Sequence, residues 1–208
     1  MEARTLPLFP LHRVLLPGAV LPLHVFEERY QLMMDQLEDE RFGVVLITEG
    51  REVAGPSQHS DVGTEARIVR SRRLPDGRAV LVVVGERRFE VVERLSVEPY
   101  PLALVEYLPE EPGGWPGLSQ LRDQVERVLR RCSALAVESG ETADVSPAVS
   151  EDPLTASYQV ASLMRISNPE RQELLELPTA GARLERELAV LRREIELLER
   201  LLAKGRST

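Results

Sequence analysis

Two families of chemistry depend on a lysine, and the sequence holds one, Lys204. A phosphate-cradling loop needs G-x-x-x-x-G-K-[ST], so that backbone amides and the lysine surround the phosphates. No such loop precedes the AKGRST in which Lys204 stands. A Ser–Lys pair needs a desolvated lysine as its base. Lys204 closes a helical stretch beside Gly205 and Arg206 and is expected to be solvated. The three histidines, His12, His24 and His59, do not follow the H-x-x-x-H spacing of a zinc helix, so no metal is expected. Cys132 is the single cysteine, which excludes an internal disulfide and a thiolate cluster. Set among apolar and arginine residues in a helical pattern, it reads as a buried structural thiol. Neither G-x-S-x-G nor G-x-G-x-x-G occurs. No catalytic residue and no cofactor are expected.

The residues suited to binding are more suggestive. Glu27 and Tyr30 are three apart and share a helical face, whereas Arg29 is expected to point elsewhere. They could rim a peptide groove, or form an ion-pair network alongside Arg88 that locks a helix to a sheet. Arg67, Arg70, Arg72, Arg73, Arg78, Arg87 and Arg88 gather around one hairpin. Asp76, Glu86 and Glu90 interleave with them, which favours a solvated strand face over an RNA surface.

The first half must supply strands. Residues 5–9, 20–26 and 42–48 are short apolar segments, 63–74 and 78–85 flank a turn, and 88–95 and 102–108 supply further strands. Pro75-Asp76-Gly77 marks a hairpin between two of them. Both alternating faces of 79–84 (AVLVVV) are apolar, which predicts cover on both sides. Residues 27–40 switch to helical spacing through Tyr30, Met33, Met34 and Leu37. Residues 110–117 (EEPGGWPG) break regular structure and mark a linker, with Trp115 expected to anchor it.

Beyond it the pattern is helical. Leu121, Val125, Val128 and Leu129 form a stripe, 138–152 reads as a flexible acidic loop, and 154–166 and 170–177 read as two helices. A long helix over 182–203 carries Leu184, Leu188, Leu191, Ile195, Leu198 and Leu202 at heptad spacing. Val190, Leu197 and Leu201 widen that stripe, which suggests packing on two neighbours or self-association. The fold class expected is α+β, with a β-rich part at 1–111, a linker at 112–117 and a helical part at 118–204.

At 208 residues, 43% hydrophobic and 29% charged, the chain can bury a sizeable core. Its net charge of −8 opposes general affinity for nucleic acid or anionic membranes. The start, MEARTLPLFP, has neither the basic cluster nor the apolar run of a secretory signal, and no apolar run could span a bilayer. A cytoplasmic location is expected.

LPLFPL at 6–11, LPGAVLPLHVFEERY at 16–30, FGVVLI at 42–47, DVGTEARI at 61–68, PDGR at 75–78 and VGERRFEV at 84–91 together resemble the opening of the N-terminal domain of Lon proteases. NPERQELLELPTAGARLERELAVLRREIELL at 168–198 is similar to that domain's helical end. The resemblance implies a PUA-like small β-barrel followed by a helical bundle with a long last helix. It implies recognition of unfolded or peptide-like protein clients, and subunit association; separately, the heptad stripe at 184–202 predicts a monomer–homodimer equilibrium through 182–203. The ATPase and protease domains of Lon fall outside the resemblance, so a stand-alone, non-enzymatic adaptor or holder is expected. A groove between the β-rich and helical parts is the expected site, lined by Phe26, Glu27, Tyr30, Met33, Met34 and Phe42. A small-molecule sensor using a pocket of the PUA-like barrel and an RNA-binding hairpin are the alternatives.

Overall fold

The computed structural model describes residues 3–50, 58–111, 117–142, 144 and 147–205. Trp115 and most of the expected 112–117 linker lie outside the described residues. The chain divides into two compact units. A sheet unit takes the described residues up to Pro109 together with Ser167–Glu176, and a helical unit takes Glu110–Ile166 and the described residues from Leu177 onward. The helix within Ser167–Glu176 therefore groups with the strands, whereas the expected division left it in the helical part.

The sheet unit runs β1 (Ala3–Leu11), β2 (Val20–Val25), α1 (Glu28–Gln36), β3 (Arg41–Glu49), β4 (Gln58–Arg73), β5 (Ala79–Ser96) and β6 (Leu102–Tyr107). The strands form one mixed sheet in the order β2-β5-β4-β3-β1-β6, with β6 also paired to β5. β1 and β3 are parallel, Leu8 facing Gly43; every other pair is antiparallel. β5 spans what the sequence suggested as two strands. Its first half lies between β2 and β4, and its second half exchanges β2 for β6. Gly85 keeps the strand continuous at the join, donating to Ala19 O at 3.0 Å and accepting from Gly18 N at 2.8 Å. Five strands thus have partners on both edges. Among the described residues, β2 pairs only with β5.

Alternation divides the apolar residues between two clusters. Phe9, Leu11, Leu21, Leu23, Met33 and Phe42 belong to one, and Leu6, Leu8, Val45, Phe89, Val91 and Val105 to the other. Phe89 lies against two glycines. A Cβ on Gly63 would stand 2.6 Å from its Cζ and 2.5 Å from Val44 O, and one on Gly43 would stand 2.7 Å from the same Cζ. Cover over 79–84 is one-sided: Ala79, Leu81 and Val83 are buried, but Val80, Val82 and Val84 only half-buried.

The last helix of this unit is α4 (Asn168–Glu176). Leu174 and Leu175 are buried, and Gln172 Nε2 donates to Val62 O of β4 at 2.9 Å. The final carbonyls of a helix lack partners within it. Arg88, itself 1% exposed, donates to Leu175 O at 2.8 Å and to Pro109 O at 3.2 Å. Gln172 and Arg88, the latter placed by its sequence pattern among the charges of a solvated strand face, therefore bind α4 to the sheet.

The helical unit contains α2 (Leu118–Glu138), α3 (Pro153–Leu163) and α5 (Ala180–Gly205). The heptad residues of α5 from Leu184 to Leu198 are buried, and Leu184, Leu188 and Leu191 cluster with Val125 and Leu129 of α2 and Val160 of α3. The second stripe divides: Val190 is buried, while Leu197 and Leu201 are 50% and 53% exposed. Asp152 caps α3 by accepting from Thr155 N at 2.9 Å, with Pro153 in the first turn. Arg122 holds the segment before it, donating to Val149 O at 3.0 Å and Ser150 O at 2.8 Å, so the described end of the expected flexible loop is tied down.

α5 also buries charge. Arg183 lies 4.1 Å over the Tyr158 ring and donates to Ser157 Oγ at 3.0 Å and Leu177 O at 2.9 Å. One turn on, Glu187 is fully buried, and neither carboxylate oxygen has a hydrogen-bond partner among the described residues. Burial pushes its carboxyl well above the ordinary value, against the opposing pull of Arg183.

Candidate binding site

Two clefts of the sheet unit meet at the start of α1. The first, about 370 Å³, is lined by Phe9, Leu11, His12 and Arg13 on one side and by Leu21, Pro22, Leu23 and His24 on the other, with Phe26, Glu27 and Tyr30 at its end. The second, about 880 Å³, is lined by Leu8, Pro10, Arg29 and Tyr30 and by residues around Arg94, Val97 and Pro101. Tyr30 lines both.

A stack of side chains builds the junction. Tyr30 lies on Phe9 with ring centroids 4.3 Å apart, Phe9 meets Phe42 at 5.8 Å, and the Arg29 guanidinium covers Tyr30 at 4.5 Å. Arg29 also grips Glu27 through Nε at 3.1 Å and Nη2 at 3.0 Å. This corrects the expectation that Arg29 points away. Glu27 is the extended residue before α1 (φ −77°, ψ 134°), so helical spacing does not govern the pair. Arg88 takes no part in this cluster, because its guanidinium is committed to α4.

Of the six expected lining residues, Phe26, Glu27 and Tyr30 come together at the clefts. Phe26 is 51% exposed, its carbonyl held by Gln31 Nε2 at 3.0 Å. Met33 and Phe42 are sealed in the core at 0% exposure, and Met34 packs partly buried against it. None of these three lines either cleft. The pattern of apolar spacing identified one helix face without saying that it faces inward. His12 and Arg13 carry no spacing signal in the sequence, and 20–26 reads as a strand without any sign that both of its faces line a cleft.

Several of the arginines near the hairpin have acidic or aromatic partners, while Arg70 and Arg72 are exposed. Arg67 pairs with Glu86, Arg73 with Asp35 and Arg78 with Asp76; Arg87 covers Tyr107 at 3.7 Å and Arg88 is buried. Tyr107 donates to the buried Glu65, and burial with that carboxylate pushes its phenol up to about 12.

The helical unit has a cavity of about 300 Å³ lined by Leu129, Cys132, Met164, Arg165, Leu191 and Arg193, among others. Burial, aided by Glu194, pushes the Cys132 thiol up to about 11. Among the described residues, no group of three or more potential metal ligands gathers, and no helix is long and apolar enough to cross a membrane.

Residues 5–193 match the family model of the ATP-dependent protease La (LON) substrate-binding domain. The chain belongs to the Lon substrate-binding domain family. It is 28% identical over 197 residues to Lon protease 2 of Desulfotalea psychrophila, covering 93% of this chain and 26% of that protein. It is 30% identical over 202 residues to Lon protease of Desulfovibrio desulfuricans, covering 93% and 22%. The Lon-type domain thus spans about a quarter of the length of the curated relatives it matches. Among solved structures, a Lon N-terminal domain protein from Xanthomonas campestris superposes with a TM-score of 0.67 at 30% identity, covering 89% of this chain and 98% of that one. The N-terminal domain of Mycobacterium avium complex Lon protease shares the fold, with a TM-score of 0.65 at 20% identity over 93% of this chain and 98% of that one. The α+β architecture and the family expected from the sequence motifs agree with these findings.

Proposed function

We propose that this chain holds exposed segments of other polypeptides and changes none of them. Membership of a substrate-binding domain family supports a protein-binding role. The observation that carries the reading is the pair of clefts joined at Tyr30, the larger mainly apolar, the smaller mixing Phe9, Leu11 and Leu21 with polar groups and bordered by the exposed ring of Phe26. Non-native clients present apolar side chains that a folded protein hides, and exposed apolar surface on the binder is matched to them. The absence of a P-loop or Ser–Lys motif in the sequence supports a non-enzymatic holder or adaptor acting in the cytoplasm. The cyclic pairing of β1, β3, β4, β5 and β6 supports a PUA-like barrel, and the packing of α2, α3 and α5 supports a helical bundle.

The test is titration of the chain into a reduced, alkylated and permanently unfolded protein, read by fluorescence anisotropy. Saturable binding is expected, weakened about tenfold by Phe26→Ser, since aromatic anchors dominate interface energetics. Absence of saturable binding at tens of micromolar would remove this reading.

A second reading has its own observation. The cavity at Cys132 is small, partly apolar and rimmed by charge, which supports a small-molecule sensor. A thermal-shift screen against fractionated metabolites tests it, because a ligand held by the folded state raises the midpoint.

A further inference from the structure

We propose that β2 is a template on which a client adds an extended strand, seated in the slot between β2 and the end of β1 with an acidic group at the Arg13 end. This inference rests on the polypeptide-holding reading above and names how that site holds its client.

The hydrogen-bonding pattern gives the first argument. Gly85 N donates to Ala19 O at the start of the β2–β5 ladder, while Gly85 O takes Gly18 N, so the Ala19 carbonyl is turned toward β5 and sets the alternation that follows. Antiparallel pairs alternate between bonded and non-bonded. Leu21, Leu23 and Val25, opposite Val83, Leu81 and Ala79, are then bonded to β5, and Val20, Pro22 and His24 are not. Pro22 agrees independently, because it has no N–H to give the ladder. The carbonyls of Val20, Pro22 and His24, and the N–H groups of Val20 and His24, therefore face away from β5. β2 has no second strand partner among the described residues.

The lining of the smaller cleft gives the second. Along β2, buried and exposed residues alternate, Leu21 and Leu23 on one face and Pro22 and His24 on the other. All four line the cleft. A cleft touched by both faces of a strand opens on its edge. Its far wall is Phe9 and Leu11 of β1 with His12 and Arg13 beyond. An edge of backbone donors and acceptors beside an apolar floor suits an extended polypeptide, whose main chain supplies the bonds and whose alternate side chains fill the floor. Pro22 takes one donor from the edge, which hinders uncontrolled pairing between copies while leaving its carbonyl to accept.

Charge gives the third. Glu27 at one end is neutralised by Arg29. Arg13 at the other end is exposed and forms no ion pair among the described residues. Arg171 of α4 is close enough to feel Arg13, which, after burial, adds to the forces that disfavour its charge. An anionic group seated there relieves that repulsion, so an acidic side chain or a chain-terminal carboxylate complements this end of the slot.

The probe is a capped peptide of alternating valine and threonine, matched to the six residues of β2 and ending in aspartate. Two further peptides carry backbone N-methyl groups, one at odd positions and one at even. In strand addition only one parity faces β2, so one methylated peptide binds about tenfold more weakly while the other binds like the parent. Equal binding by both, or equal loss, overturns the inference. His24→Pro, which removes an outward donor and leaves the β5 ladder intact, is expected to weaken the parent peptide about tenfold at an unchanged unfolding midpoint. Arg13→Glu is expected to weaken the aspartate peptide and not its asparagine counterpart. If His24→Pro fails to fold, the methylated pair decides on the unaltered protein. Binding of unfolded protein without binding of the peptide overturns strand addition alone, and loss of both overturns the wider reading as well.

Discussion

Phe89 occupies space that two side chains would otherwise fill, and the glycines beneath it are structural for that reason. Gly63→Ala places a methyl within 2.6 Å of the Phe89 ring and 2.5 Å of the Val44 carbonyl, and a backbone oxygen cannot swing aside. We expect a loss of about 2–3 kcal/mol, the usual cost of overpacking, visible as a lower urea midpoint. Phe89→Leu in the same chain should recover part of it. Equal midpoints for Gly63→Ala and the unaltered chain would remove this account. Neither glycine is distinguishable from an ordinary strand glycine in the sequence, because the ring that needs them arrives from β5, and strand register is not encoded locally. Tyr30 and Glu27 both line the smaller cleft, but helical spacing does not account for it, since Glu27 is extended, and Arg29 meets Glu27 because the chain is extended before α1. Met33 and Phe42 carry the same apolar signal as Phe26, and tertiary packing alone decides which of them meets solvent.

At the scale of elements, α5 shows how far periodicity reaches. Its heptad leucines declared the buried seam, but Arg183 and Glu187 look like surface charge in sequence and are enclosed in the structure. Glu187 makes a pH-dependent contribution whose sign follows from its environment. Its folded carboxyl titrates well above the ordinary value of 4.5 that it resumes on unfolding. The fold therefore favours the protonated group, and this contribution is complete below the ordinary value and lost as pH rises through the folded one. Glu187→Gln keeps a neutral amide there at every pH. The variant should gain stability relative to the unaltered chain as pH rises above 4.5, measured by chemical unfolding across a pH series. A difference that does not change with pH would rule out a buried, neutral Glu187. Strands were legible as segments, whereas the parallel β1–β3 pair and the second partner of β6 depend on contacts between distant residues. β5 looked like two strands because glycine and charge interrupt its apolar pattern, yet the backbone bonds of Gly85 carry it through.

For the whole molecule, Leu197 and Leu201 on α5 are the exposed members of the wide apolar stripe, with Leu202 half-buried beside them. We expect a concentration-dependent rise in sedimentation coefficient toward a dimer, abolished by Leu197→Glu with Leu201→Glu. A single monomeric species at every concentration would end the idea of association through 182–203. All six strands end by Tyr107 and α2 begins at Leu118, on either side of the Pro- and Gly-rich stretch of the sequence. The grouping of α4 with the strands was not visible in the sequence, since its short apolar pattern resembles that of any packed helix and its anchor, Arg88, lies 87 residues away from Leu175.

That grouping has a temporal consequence. During synthesis all six strands leave the ribosome well before α4, and until residue 176 has emerged Arg88 must wait without the Leu175 carbonyl that it binds in the finished protein. A nascent chain halted after β6 should stay sensitive to protease, and one halted far enough beyond α4 to release it should turn resistant, although no strand has been added in between.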